Sequence, residues 1–313
     1  MRTAFIETLN ELADQDSRVC LIVGDLGFSV IEAFAEKHPN QFVNAGVSEQ
    51  NMIGLAVGMA LTGKIVFTYS IGNFGTLRCL EQIRNDVCYH RANVKVVAVG
   101  GGLGYGNLGV THHASEDVAI MRALPNMTVV APGDPIEARL ATRAVVAHDG
   151  PCYLRLGKAG EPVVHTTQPA FELGKAITLR EGSDLTLIAS GGMLATADKV
   201  AQDIAAQGLG VRLLSMHTVK PIDREAVIRA AIETRYVFTL EEHSVEGGLG
   251  GAVAEVMAEL DPGHAPLKRI GLRPEFNTTV GDQNYLKSLH GLDQESVLKT
   301  IQQIIARSYG RVG

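Results

Sequence analysis

A single carboxylate stands at the start of a helix that is otherwise built from small, polar uncharged and apolar residues. Segment 45–61 reads AGVSEQNMIGLAVGMAL, and Glu49 is its only charged residue. Ser48 is a candidate N-cap, and the small residues between positions 54 and 60 would let the helix approach a neighbour closely, so Glu49 is predicted to be buried. A buried carboxyl can share a proton with a ligand nitrogen, whereas the alternative is a first-turn glutamate that faces water.

A glycine-rich loop precedes two histidines. Segment 100–109 reads GGGLGYGNLG, and Thr111, His112 and His113 follow. The glycines fit the dinucleotide pattern G-x-G-x-x-G only weakly, because the residues after them are polar and no acidic residue ends a second strand at the usual distance. The loop could instead bring the backbone close to a ligand and present an imidazole, which exchanges protons near neutral pH. Adjacent side chains point in different directions, so we predict that His112 faces the site and that His113 is structural.

An aromatic side chain and several cations are further candidates. A helix is predicted over residues 73–86, just after a strand, where Phe74 could stack on a flat ring and Arg78 could bind an anion. The alternative is that Phe74 belongs to the core and that Arg78 is solvated or paired with an acid. Arg155 and Lys158 end the first α/β unit on a short strand, which would direct them to opposite faces if it stayed extended, so one of them could meet a substrate anion.

The elements that must position these residues alternate between strands and helices. Apolar, β-branched runs predict strands at 18–23, 64–69, 94–99 and 127–131, and a second series at 184–190, 211–215 and 236–240. This pattern predicts an α/β protein with two three-layer domains, the first with a mainly parallel sheet and the second smaller. We place the first domain at residues 1–165, a linker at 166–182 and the second domain at 183–313.

Composition narrows the function classes. The chain has 313 residues, 46% of them hydrophobic, and a formal net charge of -6. No apolar run approaches the roughly 20 residues of a membrane span, no signal peptide is visible, and the cations are dispersed, so we expect a cytoplasmic protein that binds neither membrane nor nucleic acid. The four cysteines lack close-paired metal spacing and are predicted to be buried thiols, and no metal ligands are expected in this chain.

Several motifs, taken in order along the chain, resemble one family. They are Gly46-Val47-Ser48-Glu49-Gln50, Gly109-Val110-Thr111-His112, the run LPNMTVVAPGD at 124–134, Lys220-Pro221-Ile222-Asp223, and Glu241-Glu242-His243-Ser244 with Gly247-Gly248-Leu249-Gly250. The chain resembles the carboxyl-terminal half of transketolase, present as a separate subunit. The resemblance covers nearly all residues and implies a thiamine-diphosphate pyrimidine-binding domain followed by a transketolase C-terminal domain.

The resemblance also implies roles for individual residues. Glu49 and His112 would be catalytic, with Glu49 activating the aminopyrimidine of thiamine diphosphate and His112 contacting donor hydroxyls. The enzyme would transfer a two-carbon ketol unit from a ketose donor to an aldehyde acceptor. The implied cofactor-binding residues are Glu49, Gln50 and Phe74, and the implied substrate-binding residues are His112, Arg78, Lys158 and Arg155.

Three positions depart from the family pattern. Leu108 replaces an aspartate that reads a sugar hydroxyl, Gly100 lies near the position of a transketolase histidine, and Lys158 falls where a phosphate-binding arginine is usual. A lysine is a point charge and lacks the bidentate fork of arginine. These departures predict a non-standard substrate, such as a branched, deoxygenated or otherwise modified sugar phosphate, or a sulfonated sugar.

The metal-binding half of the family site is absent from the sequence. The Gly-Asp-Gly start and the downstream asparagine of the diphosphate domain have no counterpart in a suitable setting. We therefore expect an amino-terminal-section partner subunit that holds Mg²⁺ or Ca²⁺, most simply in an α2β2 heterotetramer in which this chain self-associates through faces such as helix 54–61. The alternatives are the β subunit of a 2-oxo-acid dehydrogenase, a deoxyxylulose-phosphate-synthase-like enzyme, and a non-catalytic binding homologue.

Overall fold

Two β-sheets organise the chain in a computed structural model that describes residues 1–309. The strands are β1 Val19–Val23, β2 Phe42–Asn44, β3 Ile65–Ile71, β4 Val94–Val99, β5 Thr128–Val130, β6 Cys152–Leu156, β7 Ile177–Arg180, β8 Leu185–Ala189, β9 Val211–Ser215, β10 Thr218–Lys220, β11 Tyr236–Ser244 and β12 Leu267–Leu272.

Helices cover both faces of each sheet. They are α1 Arg2–Gln15, α2 Glu32–Lys37, α3 Glu49–Leu61, α4 Gly72–Thr76, α5 Leu80–Gln82, α6 Asp117–Ala123, α7 Pro135–Ala147, α8 Leu194–Ala206, α9 Arg224–Glu233, α10 Leu249–Met257, α11 Gln283–Leu289 and α12 Gln294–Tyr309. Short 3₁₀ turns occupy Leu77–Cys79, Gly106–Leu108, Val110–His112 and Gly191–Met193, and Ile83–Tyr89 is π-helical.

The first sheet has the strand order β10-β5-β6-β4-β3-β1-β2, and all of its strands except β10 run parallel. Every residue of β1, β4 and β6 is buried, as expected for parallel strands that are covered on both faces. The predicted strands of this unit are confirmed. Because the strands are parallel, the loops that follow β1, β3 and β4 emerge at one edge of the sheet, where the candidate site residues lie.

The second sheet has the order β12-β11-β8-β9-β7 and is parallel apart from β7. Helices α8 and α12 contribute to the core on one face, and α9 and α10 to the core on the other. The two predicted α/β units are therefore present. The structure differs from the predicted linker 166–182 in one respect, because β7 (Ile177–Arg180) already pairs with β9 and belongs to the second sheet.

One strand crosses between the units. Strand β10 follows β9 in the chain, yet it pairs antiparallel with β5 at the edge of the first sheet. Immediately before β10, the His217 carbonyl accepts a hydrogen bond from the Ala131 backbone N–H at 2.7 Å. The second unit thus completes the sheet of the first, and short-range periodicity carried no signal for this exchange.

The predicted helix over residues 73–86 is wrong as a single regular element. The segment is divided into α4, a 3₁₀ turn, α5 and a π-helical stretch. A Cβ atom on Gly72 would lie 2.7 Å from the Ala114 Cβ, so the start of the segment is fitted against the histidine loop. Departures from regular α-helix of this type are frequent at functional sites.

Two smaller observations concern the cysteines and the helices. Cys20, Cys79, Cys88 and Cys152 are buried free thiols, as predicted. Within residues 1–309, no helix is both long and apolar enough to cross a membrane.

We expect the junction between the units to be sensitive to acid. His217 is fully buried, its ring stacks on Phe171 with centroids 3.9 Å apart, and burial lowers its pKa to about 4. In the unfolded chain the His217 imidazole has a pKa of about 6.5 and binds a proton more tightly than in the folded chain. The free energy of unfolding should therefore fall by roughly 3 kcal/mol as the pH drops from about 6.5 to about 4. Urea unfolding at a series of pH values measures this slope.

The matched variants for this prediction are His217→Gln and His90→Gln. His217→Gln should flatten the acid slope, whereas His90→Gln, which changes an exposed histidine, should leave the slope as it is. An unchanged slope in His217→Gln would contradict the assignment.

Candidate active site

Glu49 opens α3 and is buried, as predicted, with 2% of its surface exposed. Its Oε2 accepts a hydrogen bond from Arg78 Nη1 at 2.7 Å. A Cβ atom on Gly24, which follows β1, would lie 3.6 Å from the Glu49 Cγ, so the carboxylate sits at the carboxyl edge of the first sheet. Ser48 is the N-cap residue of α3, as predicted, although its hydroxyl donates to the Ala45 carbonyl at 2.7 Å and makes no capping hydrogen bond.

Arg78, Phe74 and His112 form a continuous cluster with Glu49. The Arg78 guanidinium carbon lies 4.6 Å from the centroid of the Phe74 ring. The Phe74 and His112 rings meet edge to face with centroids 4.9 Å apart. The structure therefore brings together four residues from a segment of more than 60 positions. Glu49 supplies a carboxylate at one end of the cluster, and His112 supplies an imidazole at the other.

His112 is held on a closed loop. Gly102 and Ala114 exchange backbone hydrogen bonds across the base of the loop, and Asn73 Nδ2 donates to the Thr111 carbonyl at 2.6 Å. The neighbouring His113 is buried, and burial lowers its pKa. The two imidazoles thus have different surroundings, as expected, and His112 is the one that contacts Phe74.

Arg155 lies in a buried network beneath this loop. Its Nε donates to Asp117 Oδ2 at 2.7 Å, and its Nη2 donates to the carbonyls of Ala114 and Glu242 at 2.9 and 3.0 Å. Burial alone would raise the pKa of Asp117, but the charge of Arg155 and the hydrogen bonds from Arg155 and Tyr153 hold that pKa below its usual value. These contacts give Arg155 a positioning role for the His112 loop, and its predicted contact with substrate stays a prediction.

Lys158 lines a cavity of about 510 Å³ between the glycine-rich loop and the second unit. Its ammonium lies 4.8 Å from the centroid of the Tyr105 ring, and within residues 1–309 it makes no ion pair. The Tyr105 ring also covers Gly100, where a Cβ atom would lie 2.2 Å from ring carbons. Strand β6 ends at Leu156, so Arg155 and Lys158 are not directed to opposite faces by one extended strand, and both border this cavity.

The outer face of α3 is uncovered in the single chain. Gln50 is exposed, and a Cβ atom on Gly54 or Gly58 would meet open space. Gly54 and Gly58 therefore do not serve close packing within the chain, whereas Ala56 on the inner face is buried in the core. Val47 and Leu61, which flank them, are 75% and 66% exposed.

Sequence reasoning missed three residues that build the site. Asp117 neutralises Arg155, Glu242 Oε1 accepts from the Leu103 backbone N–H at 2.7 Å, and Tyr105 covers Gly100. Glu242 stands in a motif that already indicated the family, and Asp117 ends the polar run after the histidines. Neither position has a local pattern that would have predicted its partner, because each contact joins residues far apart in the chain.

Family models match both parts of the chain. Residues 1–160 match the transketolase pyrimidine-binding domain, and residues 174–297 match the transketolase C-terminal domain. The chain belongs to the transketolase family. It is also similar in structure to a split gene transketolase described as an inactive β4 tetramer, with a TM-score of 0.87, 37% sequence identity and 96% of each chain covered.

Curated relatives of similar length are also transketolase subunits. The chain is 40% identical to the 6-deoxy-6-sulfo-D-fructose transketolase subunit SqwH of Clostridium sp. (strain MSTE9), over 98% of this chain and 95% of the relative. It is 38% identical to one of the subunits of the apulose-4-phosphate transketolase of Phocaeicola vulgatus, over 98% of this chain and 97% of the relative. The chain therefore corresponds to one subunit of a split transketolase, which works with a partner subunit.

Transketolases depend on thiamine diphosphate, and the site residues suit the aminopyrimidine part of this cofactor. Within the described residues, the Glu49 carboxylate accepts one side-chain hydrogen bond, from the half-exposed Arg78. A buried carboxylate can accept a hydrogen bond from a flat ring that carries N–H groups, and a neighbouring aromatic side chain can stack against the same ring. The chemistry of these groups thus fits one end of the cofactor.

Proposed function

We propose that this chain is the catalytic carboxyl-terminal-section subunit of a thiamine-diphosphate-dependent transketolase. The enzyme shortens a ketose donor by a two-carbon ketol unit and lengthens an aldehyde acceptor by the same unit. The observation that carries the proposal is the cluster of the buried Glu49 with the half-buried Phe74 and His112 at one sheet edge. The match to split-transketolase subunits over nearly the whole chain supports it.

Each site residue has its own task in this proposal. Thiamine diphosphate, when bound, supplies the carbon nucleophile that breaks and forms bonds next to a carbonyl. Glu49 holds and exchanges a proton at its carboxylate with a nitrogen of the aminopyrimidine, and Phe74 orients that ring. His112 contacts donor hydroxyls and moves a proton at its imidazole, while Gln50, adjacent to Glu49, takes part in cofactor binding from the exposed side.

We assign the metal ion, Mg²⁺ or Ca²⁺, and the cofactor diphosphate to an amino-terminal-section partner, in an α2β2 assembly. Two exposed apolar residues, Val47 just before α3 and Leu61 at its end, support association between copies of this chain. This assignment places the cofactor between two chains, each of which supplies part of its binding site.

Arg78 contacts Glu49 and Phe74, the two residues that we assign to binding the aminopyrimidine. Its guanidinium is flat, donates to Glu49 and lies over the Phe74 ring. We infer that Arg78 leaves Glu49 when the cofactor binds and then becomes free to meet the substrate anion.

Removing this guanidinium should therefore strengthen cofactor binding. In the assembled enzyme prepared without cofactor, Arg78→Met should tighten thiamine diphosphate binding about two- to fivefold, since a half-exposed ion pair no longer competes for Glu49. Isothermal titration calorimetry measures the change. Arg84→Met, on the same exposed segment, is the control and should leave the affinity unchanged, and weaker binding in Arg78→Met would contradict the displacement.

The substrate is proposed to be a modified sugar phosphate or a sulfonated sugar. Leu108 lies on the His112 loop with 54% of its surface exposed, so an apolar side chain stands where the family has a hydroxyl-reading aspartate. Lys158 offers a single ammonium that has no carboxylate partner among residues 1–309. The activities named for the two relatives, on sulfofructose and apulose 4-phosphate, support this substrate class.

Ketol transfer by the assembled enzyme tests the substrate class. The donor panel is D-xylulose 5-phosphate, apulose 4-phosphate and 6-deoxy-6-sulfo-D-fructose, each with D-glyceraldehyde 3-phosphate as acceptor. We expect kcat/KM for one of the two modified donors to exceed that for D-xylulose 5-phosphate by about tenfold or more, because a missing polar contact costs about that much. A preference for D-xylulose 5-phosphate would contradict the proposal, and release of carbon dioxide from pyruvate without ketol transfer would favour the 2-oxo-acid dehydrogenase or deoxyxylulose-phosphate synthase alternatives.

A further inference from the structure

Tyr105 links the two ends of the candidate substrate site. Its ring lies 6.5 Å, centroid to centroid, from the His112 ring and 4.8 Å from the Lys158 ammonium. Neither the family motifs nor the proposed roles include this residue. Yet Tyr105 connects Lys158, on the segment after β6, to the histidine loop.

The loop is built to hold this ring in place. Gly100 has a φ of +74°, and a Cβ atom there would lie 2.2 Å from two ring carbons, so any larger residue would displace the ring. Gly104 packs against the backbone of Gly100, where an added Cβ would lie 3.0 Å from the Gly100 Cα. Tyr105 is half-buried, and burial raises its pKa, so the phenol stays neutral and its face remains available to a cation.

A ring face holds an ammonium without consuming its hydrogen bonds. A carboxylate partner would accept from the Lys158 ammonium and compete with an anionic substrate, whereas a cation over an aromatic face keeps its N–H donors. Holding the long side chain in place also reduces the rotamer freedom that binding would otherwise remove. The Lys158 ammonium is thereby held in place with its N–H donors free to bind an anion.

We propose that Tyr105 is a positioning residue that holds the Lys158 ammonium for the phosphate or sulfonate end of the donor, while His112 contacts the donor's hydroxyl end. This inference rests on the proposed function and deepens it, because it assigns the recognition of the substrate anion to a tyrosine–lysine pair. The phenol hydroxyl makes no hydrogen bond within residues 1–309, so the aromatic face is the part of Tyr105 that matters.

The test uses the assembled enzyme with three donors: D-fructose 6-phosphate, 6-deoxy-6-sulfo-D-fructose and the uncharged D-fructose. Tyr105→Leu should raise KM for the two charged donors about two- to fivefold, with kcat and the KM for D-fructose unchanged. Tyr105→Phe should retain the values of the unmodified enzyme. Tyr105→Met, of similar bulk, repeats the measurement if Tyr105→Leu does not fold.

Lys158→Met separates the inference from the proposed function. It should raise KM for the charged donors by more than Tyr105→Leu does, and in its background Tyr105→Leu should have no further effect. If Lys158→Met leaves those KM values unchanged, the role of Lys158 in the proposed function fails, and the inference fails with it. If Lys158→Met raises them but Tyr105→Leu does not, or if Tyr105→Leu affects D-fructose equally, only the role of Tyr105 is overturned.

Discussion

Replacing Glu49 with glutamine is expected to reduce ketol transfer by the assembled enzyme by about 10²- to 10⁴-fold, the usual contribution of a positioned acid–base group. Glutamine retains the size of the side chain and can still accept from Arg78, but it cannot exchange a proton with a cofactor nitrogen. Because the substituted side chain keeps its volume and its acceptor for Arg78 at the buried start of α3, the loss should lie in turnover and not in folding. Steady-state kinetics with the preferred donor measures the effect.

Two controls separate turnover from assembly. Glu81→Gln changes an exposed acid near the site and should keep full activity. Size-exclusion chromatography of the Glu49→Gln complex should give the elution volume of the unmodified complex. Activity within about tenfold of the unmodified enzyme would mean that Glu49 is not the group that activates the cofactor.

Removing the Asp117 side chain is expected to cost about 3–5 kcal/mol in the free energy of unfolding, because it leaves a buried guanidinium without its counterion. Asp117 accepts from both Arg155 and Tyr153 and is 2% exposed, and Arg155 is 8% exposed. Asp117→Ala in urea unfolding, followed by circular dichroism, gives this value. Because Arg155 also holds Ala114, the variant should further loosen the base of the His112 loop.

Glu11→Ala provides the matched comparison for a surface ion pair. Glu11 pairs with Arg143 between α1 and α7, and both side chains are about half exposed. Such a pair contributes about 0–1 kcal/mol. A loss in Asp117→Ala no larger than that in Glu11→Ala would contradict the structural importance of the buried network.

Local pattern was sufficient for much of the fold. The runs that predicted β1, β3 and β4 are mainly apolar, and these strands are buried in a parallel sheet, where no polar face is needed. Strand β10 could not be predicted, because its pairing with β5 is a contact between units. The irregular turns over 72–89 also escaped prediction, and the close approach of Gly72 to Ala114 at their start is a contact between distant parts of the chain.

Residue types were sufficient to single out Glu49, Phe74 and His112 as candidates, because each stands out from its neighbours or lies in a distinctive motif, and the structure brings them together. Contacts between them were not predictable. Arg78 was expected at a substrate anion, yet in the chain it pairs with Glu49. Arg155 was expected at the substrate, yet its donors bind Asp117 and two carbonyls, because a buried guanidinium requires such partners wherever the fold supplies them.

If this chain is one catalytic half of a transketolase, it needs an amino-terminal-section partner for activity. The decisive measurement is ketol transfer by this chain alone and by this chain mixed with that partner. Both samples receive thiamine diphosphate, magnesium and the donor panel. We expect no turnover by the chain alone and turnover in the mixture that depends on Glu49. Normal turnover by the chain alone, or a mixture that releases carbon dioxide from 2-oxo acids without ketol transfer, would contradict this expectation.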